Sequence, residues 1–378
     1  MKVIFGTDAI KYPLTGIGRY AYELAKGLSD SSEISELLFL NGRNISTSLP
    51  VLRQQSSGAA GLRNRIKKNR LAAELYRVTS PWLKTSALSH HKNAIYHGPN
   101  FYLPPKVNRC VATFHDLSVF TMPHCHPVER VRYMQKELLH TLKRAKILIT
   151  DSDFTRNELI EYFNLSPQKI FTAKLACSND FYPREVNELS QKLAKFQLKI
   201  NGYCLFTSSI EPRKNIDTLL DAYERLPLKA RKNIPLVVCG FKGWNSDNVH
   251  LRLEKGQREG WINYLGYTAS EDLPFLFAGA RSFLFPSLYE GFGLPVLEAL
   301  ASGTPVVCSD SSSLPEVAGD AGLMCDAMDV DTLTSNIIRS IEDEEWREQA
   351  KSLGLRRAKQ FSWQRCAQET ILAYKQVE

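Results

Sequence analysis

Short apolar runs alternate with longer amphipathic stretches along the whole chain. In the first half, β-branched and aromatic runs of strand length predict buried strands at residues 2–5, 37–40, 94–96, 109–114, 147–150 and 169–172. Between them, residues 18–28 and 128–145 carry apolar side chains at helical spacing, and the second stretch ends in basic residues. Alternating strands and helices predict an α/β fold with a doubly wound parallel sheet.

The same pattern restarts after a polar segment at residues 180–189. A second series of buried-type strands is predicted at residues 203–207, 236–239, 262–265, 282–285 and 305–308. A chain of 378 residues is also longer than one hydrophobic core usually supports. We therefore predict two domains, 1–185 and 186–360. Because ligands collect beyond the carboxyl ends of parallel strands, the expected site is a cleft between them.

Composition excludes several classes of protein. An apolar fraction of 43% and a charged fraction of 23% are those of a globular chain and exclude disorder, collagen and coiled coil. No run reaches the ~18 consecutive apolar residues of a membrane-spanning helix, and Asp8 interrupts the N-terminus before a signal-peptide core forms. A cytoplasmic location is expected. The eight cysteines include no CxxC pair, so neither disulfides nor a zinc site are predicted.

Positive charge is concentrated in the N-terminal half. Residues 1–185 hold 26 Lys and Arg against 15 Asp and Glu, whereas residues 186–378 hold 22 against 25, giving +11 and −3. The densest part is residues 62–70, which lead into a helix-forming sequence. Three interpretations stay open for it: a solvated helix face, a surface for anionic lipid or a phosphorylated acceptor, and nucleic-acid binding. The chain lacks helix-turn-helix, RNP and finger signatures, which disfavours nucleic acid.

The most specific motif lies at residues 290–307. A strand ends, Glu290 follows, and a Gly-rich loop through Phe292 and Gly293 leads to a helix with Pro295 in its first turn. Such a loop offers backbone N–H donors, and Glu298 lies about one turn into the helix. Two carboxylates at this spacing are suited to sugar hydroxyls. The alternative is that Glu290 caps the helix and Glu298 is solvated.

A second motif follows the strand at residues 203–207. Arg213 and Lys214 stand in a polar turn at its carboxyl end, where a guanidinium beside an ammonium suits a diphosphate. The alternative is an exposed, solvated basic pair.

Two weaker motifs lie in the first half. Gly16 and Gly18 separate a strand from a helix, as in a phosphate-binding turn, but Ala21 replaces the third glycine of a dinucleotide fingerprint, which argues against a nicotinamide dehydrogenase. His115 ends a strand, where it can donate to a ligand oxygen while Asp116 holds it, or else be structural. The histidines and cysteine at residues 122–127 are interpreted as a loop, because adjacent ligands do not converge on one metal ion.

Together these residues resemble the retaining glycosyltransferases of family 4, also called group 1, which have the GT-B fold. The resemblance rests on Gly16-x-Gly18-Arg19, His115-Asp116, Glu211-Pro-Arg213-Lys214-Asn215, Gly266-Tyr267, Glu290-x7-Glu298 and Ser313-Leu-Pro-Glu316. It covers nearly the whole chain. It implies two Rossmann-like domains facing across a cleft, with a C-terminal helix, residues 361–378, crossing back onto the N-terminal domain.

The resemblance also implies site roles. Glu290 would contact the donor sugar and Glu298 the ribose. Arg213 and Lys214 would hold the diphosphate, and Gly16 and Gly18 would close over it. Phe292, Gly293 and Leu294 would form the donor loop with its amides, and the acceptor would enter near His115. Ser208 replaces a glycine that relatives often have before the Glu-Pro-Arg-Lys turn.

The Glu-Pro-Arg-Lys-Asn and Ser-Leu-Pro-Glu forms of these motifs are most similar to those of mannosyl- and rhamnosyltransferases of bacterial polysaccharide and O-antigen assembly. They imply a GDP-mannose donor, no cofactor, no metal, and a glycan acceptor on a polyprenyl diphosphate at the cytoplasmic face of the inner membrane. A nucleotide-sugar epimerase of the same fold and a basic nucleic-acid-binding module remain the alternatives. Linkage position and oligomeric state stay open.

Overall fold

The computed structural model describes residues 1–11, 14, 16–50 and 81–377. They form two compact units. Unit 1 contains Met1–Asp116, Arg132–Lys174 and Trp363–Glu378, and unit 2 contains Leu117–Val131 and Leu175–Ser362. Residues 117–131 and 175–185 were predicted to belong to the first domain, but they lie in unit 2. Whether the predicted domains 1–185 and 186–360 fold independently stays a prediction. The basic segment 62–70 lies outside the described residues.

Unit 1 is built on a seven-stranded sheet. The strands are β1 (Lys2–Gly6), β2 (Glu36–Asn41), β3 (Asn44–Ser46), β4 (Ile95–Gly98), β5 (Cys110–Phe114), β6 (Ile147–Thr150) and β7 (Ile170–Thr172). Their order is β3-β2-β1-β4-β5-β6-β7, and every pair is parallel except the hairpin of β2 and β3. The short strand β3 was not predicted, because three residues with polar ends give no buried-strand pattern.

Amphipathic helices accompany this sheet. Helix Gly16–Ser29 buries one stripe, in which Tyr20 and Leu24 lie in the core, and helix Val128–Arg144 begins and ends close to its predicted bounds. Residues 81–88 and Asp153–Phe163 are also helical. The last helix, Trp363–Lys375, follows unit 2 in sequence but packs in unit 1 against helix Gly16–Ser29 and against β6 and β7.

Unit 2 is built on a six-stranded sheet of parallel strands. They are β8 (Cys204–Thr207), β9 (Leu236–Cys239), β10 (Ile262–Gly266), β11 (Ser282–Phe285), β12 (Val306–Ser309) and β13 (Gly322–Cys325), in the order β10-β9-β8-β11-β12-β13. The edge strand β13 was missed, since Gly322-Leu-Met-Cys325 contains no β-branched residue. Two doubly wound α/β units confirm the predicted fold class.

The helices of unit 2 complete its layers. Besides the short helix Ser118–Thr121, they span Val186–Ala194, Ile216–Glu224, Leu228–Asn233, Asp247–Glu259, Leu273–Ala278, Leu294–Ala301, Leu314–Ala318, Val330–Glu342 and Glu344–Ala358. Strands β8, β9, β11 and β12 are buried throughout, which explains why their sequences are mostly apolar and do not alternate between apolar and polar residues. Within the part of the chain that the structure describes, no helix is both long and apolar enough to span a bilayer.

Candidate functional site

The two strongest sequence motifs meet at one edge of the unit 2 sheet. Strands β8 and β11 are parallel neighbours, so the segments that follow them leave the sheet side by side. After β8 comes the 3₁₀ turn Pro212–Lys214, and after β11 comes the loop that carries Glu290. The Leu288 N–H donates to the Arg213 carbonyl oxygen at 2.9 Å, which joins the two segments directly.

A buried ion cluster forms where these segments meet. The Lys214 Nζ atom donates to Glu290 Oε1 at 2.5 Å, and Arg213 Nη1 donates to Glu290 Oε2 at 3.0 Å. A second Arg213 nitrogen, Nη2, donates to Glu211 Oε1 at 3.0 Å. No side chain in this cluster is more than 12% exposed. The alternative of a solvated basic pair is therefore wrong.

Electrostatics fix the charge of Glu290. Burial alone raises the pKa of this carboxyl, but the attraction of Lys214 and Arg213 outweighs burial and lowers the pKa to about 2. The pKa of Lys214 lies below its ordinary value because of burial and the neighbouring Arg213 charge, although Glu290 partly opposes both. With Glu211 included, two cations face two carboxylates, so the cluster is electrically balanced.

Neighbouring polar residues hold the cluster's backbone in place. Asn215 adopts a left-handed conformation, with φ of 56°, and its amide donates to the carbonyls of Pro286 and Ala327 at 2.9 and 2.7 Å. The Ser312 hydroxyl accepts from the Glu290 N–H at 2.8 Å, and the Ser313 hydroxyl lies 2.8 Å from both the Glu290 and the Phe292 carbonyl oxygens. These contacts give the Asn215 and Ser313 motif positions a positioning role that the sequence alone did not assign.

The Gly-rich loop ends where a helix begins. Gly293 is the N-cap of helix Leu294–Ala301 and has a φ of 109°, and a Cβ there would lie 2.6 Å from the Leu314 Cδ2 atom. Glu290 precedes this position, so the helix-cap alternative for Glu290 is wrong. Glu298 lies inside the helix and is only 9% exposed, which also rules out the solvated alternative.

In unit 1, His115 follows β5 and is buried. Its Nδ1 lies 2.7 Å from Asp151 Oδ2, and its Nε2 lies 2.9 Å from the Pro99 carbonyl oxygen. The carboxylate that holds the ring is thus Asp151 and not the predicted Asp116. The reason is strand pairing: Phe114 of β5 is in register with Thr150 of β6, so the residues that follow these two strands are brought together.

Both ring nitrogens of His115 are therefore engaged. Because a carbonyl oxygen only accepts, Nε2 carries a proton, and a further proton is shared between Nδ1 and Asp151. Burial lowers the pKa of His115, but the Asp151 charge and hydrogen bond raise it above its ordinary value overall, while burial raises the pKa of Asp151. The predicted donation from His115 to a ligand oxygen would require one of these two bonds to break.

A second buried network in unit 1 reaches the C-terminal helix. The Thr113 hydroxyl lies 2.8 Å from both the Tyr20 hydroxyl and His97 Nε2, and His97 Nδ1 lies 2.7 Å from the Tyr374 hydroxyl. Burial, with a smaller contribution from His115, lowers the pKa of His97 to about 3. A neutral His97 thus connects the last helix, through Tyr374, to Thr113 of β5.

The glycine pair of unit 1 does not form a separate turn. Gly16 is the first residue of helix Gly16–Ser29, and Gly18 is buried in its first turn. A Cβ on Gly16 would meet nothing within 4 Å, so space does not require glycine there. Gly16 and Gly18 thus lie in the first helical turn and not in a turn before the helix, and their assignment to the donor diphosphate stays a prediction.

The described residues contain no group of three or more His, Cys, Asp or Glu side chains arranged for a metal ion. In the segment at residues 122–127, His126 Nε2 lies 2.9 Å from the Ser118 hydroxyl, and the Cys125 carbonyl accepts from Trp244 Nε1 at 2.6 Å. None of the eight cysteines forms a disulfide bond.

Solved structures share this architecture. WaaG, described as a glycosyltransferase involved in lipopolysaccharide biosynthesis, superposes with a TM-score of 0.71 at 16% identity over 97% of this chain and 98% of its own. HepE from Anabaena in complex with UDP-glucose gives a TM-score of 0.69 at 16% identity over 98% of both chains. At these identities the likeness shows the fold alone, and that fold is the GT-B architecture of glycosyltransferases.

Sequence relatives identify the family to which the chain belongs. The family model for glycosyl transferases group 1 matches residues 190–357, which lie within unit 2. The O-antigen chain mannosyltransferase B of Escherichia coli is 50% identical over 99% of this chain and 100% of its own length. A mannosyltransferase of Mycolicibacterium hassiacum is 31% identical over 64% of this chain and 56% of its own. The chain belongs to the glycosyl transferases group 1 family, and the predicted resemblance is confirmed.

Proposed function

We propose that this protein transfers mannose, with retention of anomeric configuration, from GDP-mannose to a growing lipid-linked glycan in O-antigen synthesis. The observation that carries the proposal is the buried cluster of Arg213, Lys214 and Glu290 at the carboxyl ends of β8 and β11. The full-length similarity to an O-antigen chain mannosyltransferase supports the choice of sugar and pathway.

Arg213 and Lys214 are suited to a diphosphate. A guanidinium has five N–H donors and an ammonium has three. Arg213 directs Nη1 to Glu290 and to the Tyr289 carbonyl oxygen and Nη2 to Glu211, and Lys214 directs its ammonium to Glu290. Both side chains are already held by buried partners, so they need little reorganisation when a phosphate arrives. Preorganised cations of this kind stabilise charge that develops in a transition state.

The two motif carboxylates are assigned to different parts of the donor. Each oxygen of Glu290 accepts one bond from a cation and retains capacity for a sugar hydroxyl, because a carboxylate oxygen has two acceptor positions. Glu298 lies in the helix that starts at Leu294 and is assigned to the ribose hydroxyls. The N–H groups of Gly293 and Leu294 stand at that helix N-terminus and are assigned to donor phosphate and sugar oxygens.

The reaction follows from these charges. The bond between the anomeric carbon and the diphosphate oxygen breaks, and its electron pair stays on the departing phosphate. The acceptor hydroxyl oxygen forms the new bond from the same face, and its proton goes to that phosphate oxygen. Arg213 and Lys214 stabilise the negative charge that builds up there, and ionised Glu290 faces the sugar that becomes positive.

The acceptor is assigned to unit 1. Its sheet order changes direction between β1 and β4, which is where ligands of doubly wound sheets bind. A cavity of about 60 Å³ lies at this point, bordered by Asp8, Lys84 and Asn100, with the Lys84 ammonium 2.6 Å from the Asp8 carboxylate. We assign a glycan on a polyprenyl diphosphate to this unit, at the cytoplasmic face of the inner membrane, because unit 1 includes most of the basic N-terminal half.

The test is direct transfer. Protein is incubated with GDP-[¹⁴C]mannose and a synthetic lipid-linked mannose acceptor, and the product is separated and its anomeric coupling measured by NMR. The expected result is label in the acceptor through an α-linkage. Labelled free sugar isomer formed without acceptor would identify an epimerase instead. Transfer from UDP-glucose but not from GDP-mannose would refute the donor.

A further inference from the structure

A second cavity in unit 1 adjoins the smaller one assigned to the acceptor, and Tyr96 lines both. It has a volume of about 300 Å³, at the lower end of the range of ligand pockets. Its walls include Ala94 and Arg109, which directly precede β4 and β5. Because the two strands are parallel, this is the amino edge of the sheet, whereas His115 follows its carboxyl edge. The cavity therefore opens at the edge of the sheet opposite His115.

Hydrogen bonds connect the elements that form the walls of this cavity. The Thr85 hydroxyl lies 2.7 Å from the Pro105 carbonyl oxygen, which connects the helical residues 81–88 to the loop that precedes β5. On the sheet side, the Tyr96 N–H donates to the Arg109 carbonyl oxygen at 2.8 Å. The space is thus bounded by elements held by specific hydrogen bonds.

The lining is basic. Lys92, Lys106 and Arg109 line the cavity together with His91, and none of its lining residues is an aspartate or glutamate. The Arg109 Nε atom is buried and has no hydrogen-bond partner among the described residues. Cations gathered around a cavity without a carboxylate repel one another, and a bound anion would relieve that repulsion.

Two exposed apolar side chains belong to the helical residues that form one wall, and one of them, Trp82, lies next to the lining residue Lys106. Trp82 is 53% exposed and Leu83 is 45% exposed, and both belong to the helical residues that form one wall. The Lys106 Nζ atom lies 5.3 Å from the centroid of the Trp82 ring. Tryptophan and leucine next to lysine and arginine form the pattern that binds at the headgroup level of a membrane.

We propose that this cavity binds the phosphate headgroup of an anionic lipid, with Trp82 and Leu83 inserted into the membrane interface. The proposal goes beyond the donor chemistry and does not depend on it. The membrane contact consists of the cavity lining with Trp82 and Leu83, and any contribution from the basic segment 62–70 would be additional.

The test compares two double variants of the full chain. Lys92→Ser/Lys106→Ser removes two cavity cations, and Lys26→Ser/Lys136→Ser removes two exposed cations of unit 1 that do not line the cavity. Binding is measured by sedimentation with vesicles of phosphatidylglycerol and phosphatidylcholine and with vesicles of phosphatidylcholine alone. We expect the cavity variant to bind the anionic vesicles about 30-fold more weakly than the unchanged protein, and the control variant less than about threefold.

Two further measurements identify the source of the phosphate. Trp82→Ser should weaken vesicle binding while leaving thermal stabilisation by inorganic phosphate unchanged, since it removes only the interfacial contact. GDP affinity should be equal in all these variants, which separates this proposal from the donor assignment. Equal vesicle binding by the cavity and control variants would overturn the proposal. Stabilisation by inorganic phosphate without cavity-dependent vesicle binding would overturn it in favour of a soluble anion.

Discussion

Glu290 is predicted to stabilise unit 2 as well as to serve the reaction. The substitution Glu290→Gln keeps the size of the side chain but removes a negative charge that lies 2.5 Å from Lys214 and 3.0 Å from Arg213. Two buried cations then share a single carboxylate, Glu211. Removing one partner of a buried ion pair is strongly destabilising, because the remaining charge is left uncompensated out of water.

The size of the effect follows from the pKa of Glu290. A pKa of about 2 in the folded protein, against an ordinary value of 4.5, corresponds to about 3 kcal/mol of unfolding free energy at neutral pH. This agrees with the roughly 3 to 5 kcal/mol that is lost when a buried pair is broken. Because the pKa is lower in the folded than in the unfolded state, the contribution is complete above about pH 5 and is lost as the pH falls from 4.5 towards 2.

The assay is urea unfolding followed by tryptophan fluorescence and circular dichroism, fitted with one transition for each unit where two are resolved. Unchanged protein, Glu290→Gln and Glu298→Gln are compared at several values between pH 7 and pH 3. Glu298→Gln is the matched control, because it makes the same chemical change eight residues later in the same motif. The double variant Lys214→Met/Glu290→Gln should be more stable than Glu290→Gln alone, since it removes the uncompensated charge.

The gap in unfolding free energy between the unchanged protein and Glu290→Gln should shrink as the solution becomes acidic. A gap that stays constant from pH 7 to pH 3 would show that Glu290 does not titrate at a depressed pKa. If Glu290→Gln lowers the unfolding free energy at pH 7 by less than Glu298→Gln does, the buried ion cluster is refuted.

Three further predictions concern catalysis. Arg213→Ala and Lys214→Ala should each lower kcat by roughly 100-fold or more, as loss of one preorganised electrostatic donor does, and unchanged steady-state rates in both would refute the diphosphate assignment. Turnover should survive EDTA, and a loss that Mg²⁺ or Mn²⁺ restores would contradict a metal-independent reaction. Glu290→Gln should mainly lower kcat, whereas Glu298→Gln should mainly raise the KM for donor. Calorimetric titration with GDP should find weaker binding only in Glu298→Gln. An equal loss of GDP affinity in both variants would show that the two carboxylates are assigned wrongly.

Much of the fold was predictable because buried parallel strands leave a strong signal. Runs such as Leu236–Cys239 and Ser282–Phe285 are buried at every position because both faces of the sheet are covered, and they are therefore almost entirely apolar. The strands that were missed, Asn44–Ser46 and Gly322–Cys325, lie at sheet edges, where partial exposure removes that signal. The start of helix Gly16–Ser29 was misplaced because glycine suggests a turn.

The candidate site was predictable only where its residues are close in sequence. Arg213 and Lys214 are adjacent, and Glu290 and Glu298 share one motif, but the ion pairs between the two motifs depend on β8 and β11 being neighbours. The pairing of His115 with Asp151 likewise depends on the register of β5 and β6. Residue types alone favoured Asp116, which is adjacent to His115 in sequence, because the sequence does not reveal which strand lies next to β5.

The assignment of the donor diphosphate to the Lys214 cluster is tested most directly by calorimetric titration of GDP-mannose into the unchanged protein, Lys214→Ala and Lys229→Ala. Lys229 is an exposed lysine of unit 2, so its substitution makes the same change in charge away from the cluster. The unchanged protein and Lys229→Ala should bind GDP-mannose equally, and Lys214→Ala should bind at least about tenfold more weakly, since a bond to a charged group contributes roughly 1.5 to 3 kcal/mol. Equal affinities in all three proteins would contradict the assignment of the donor diphosphate to this cluster.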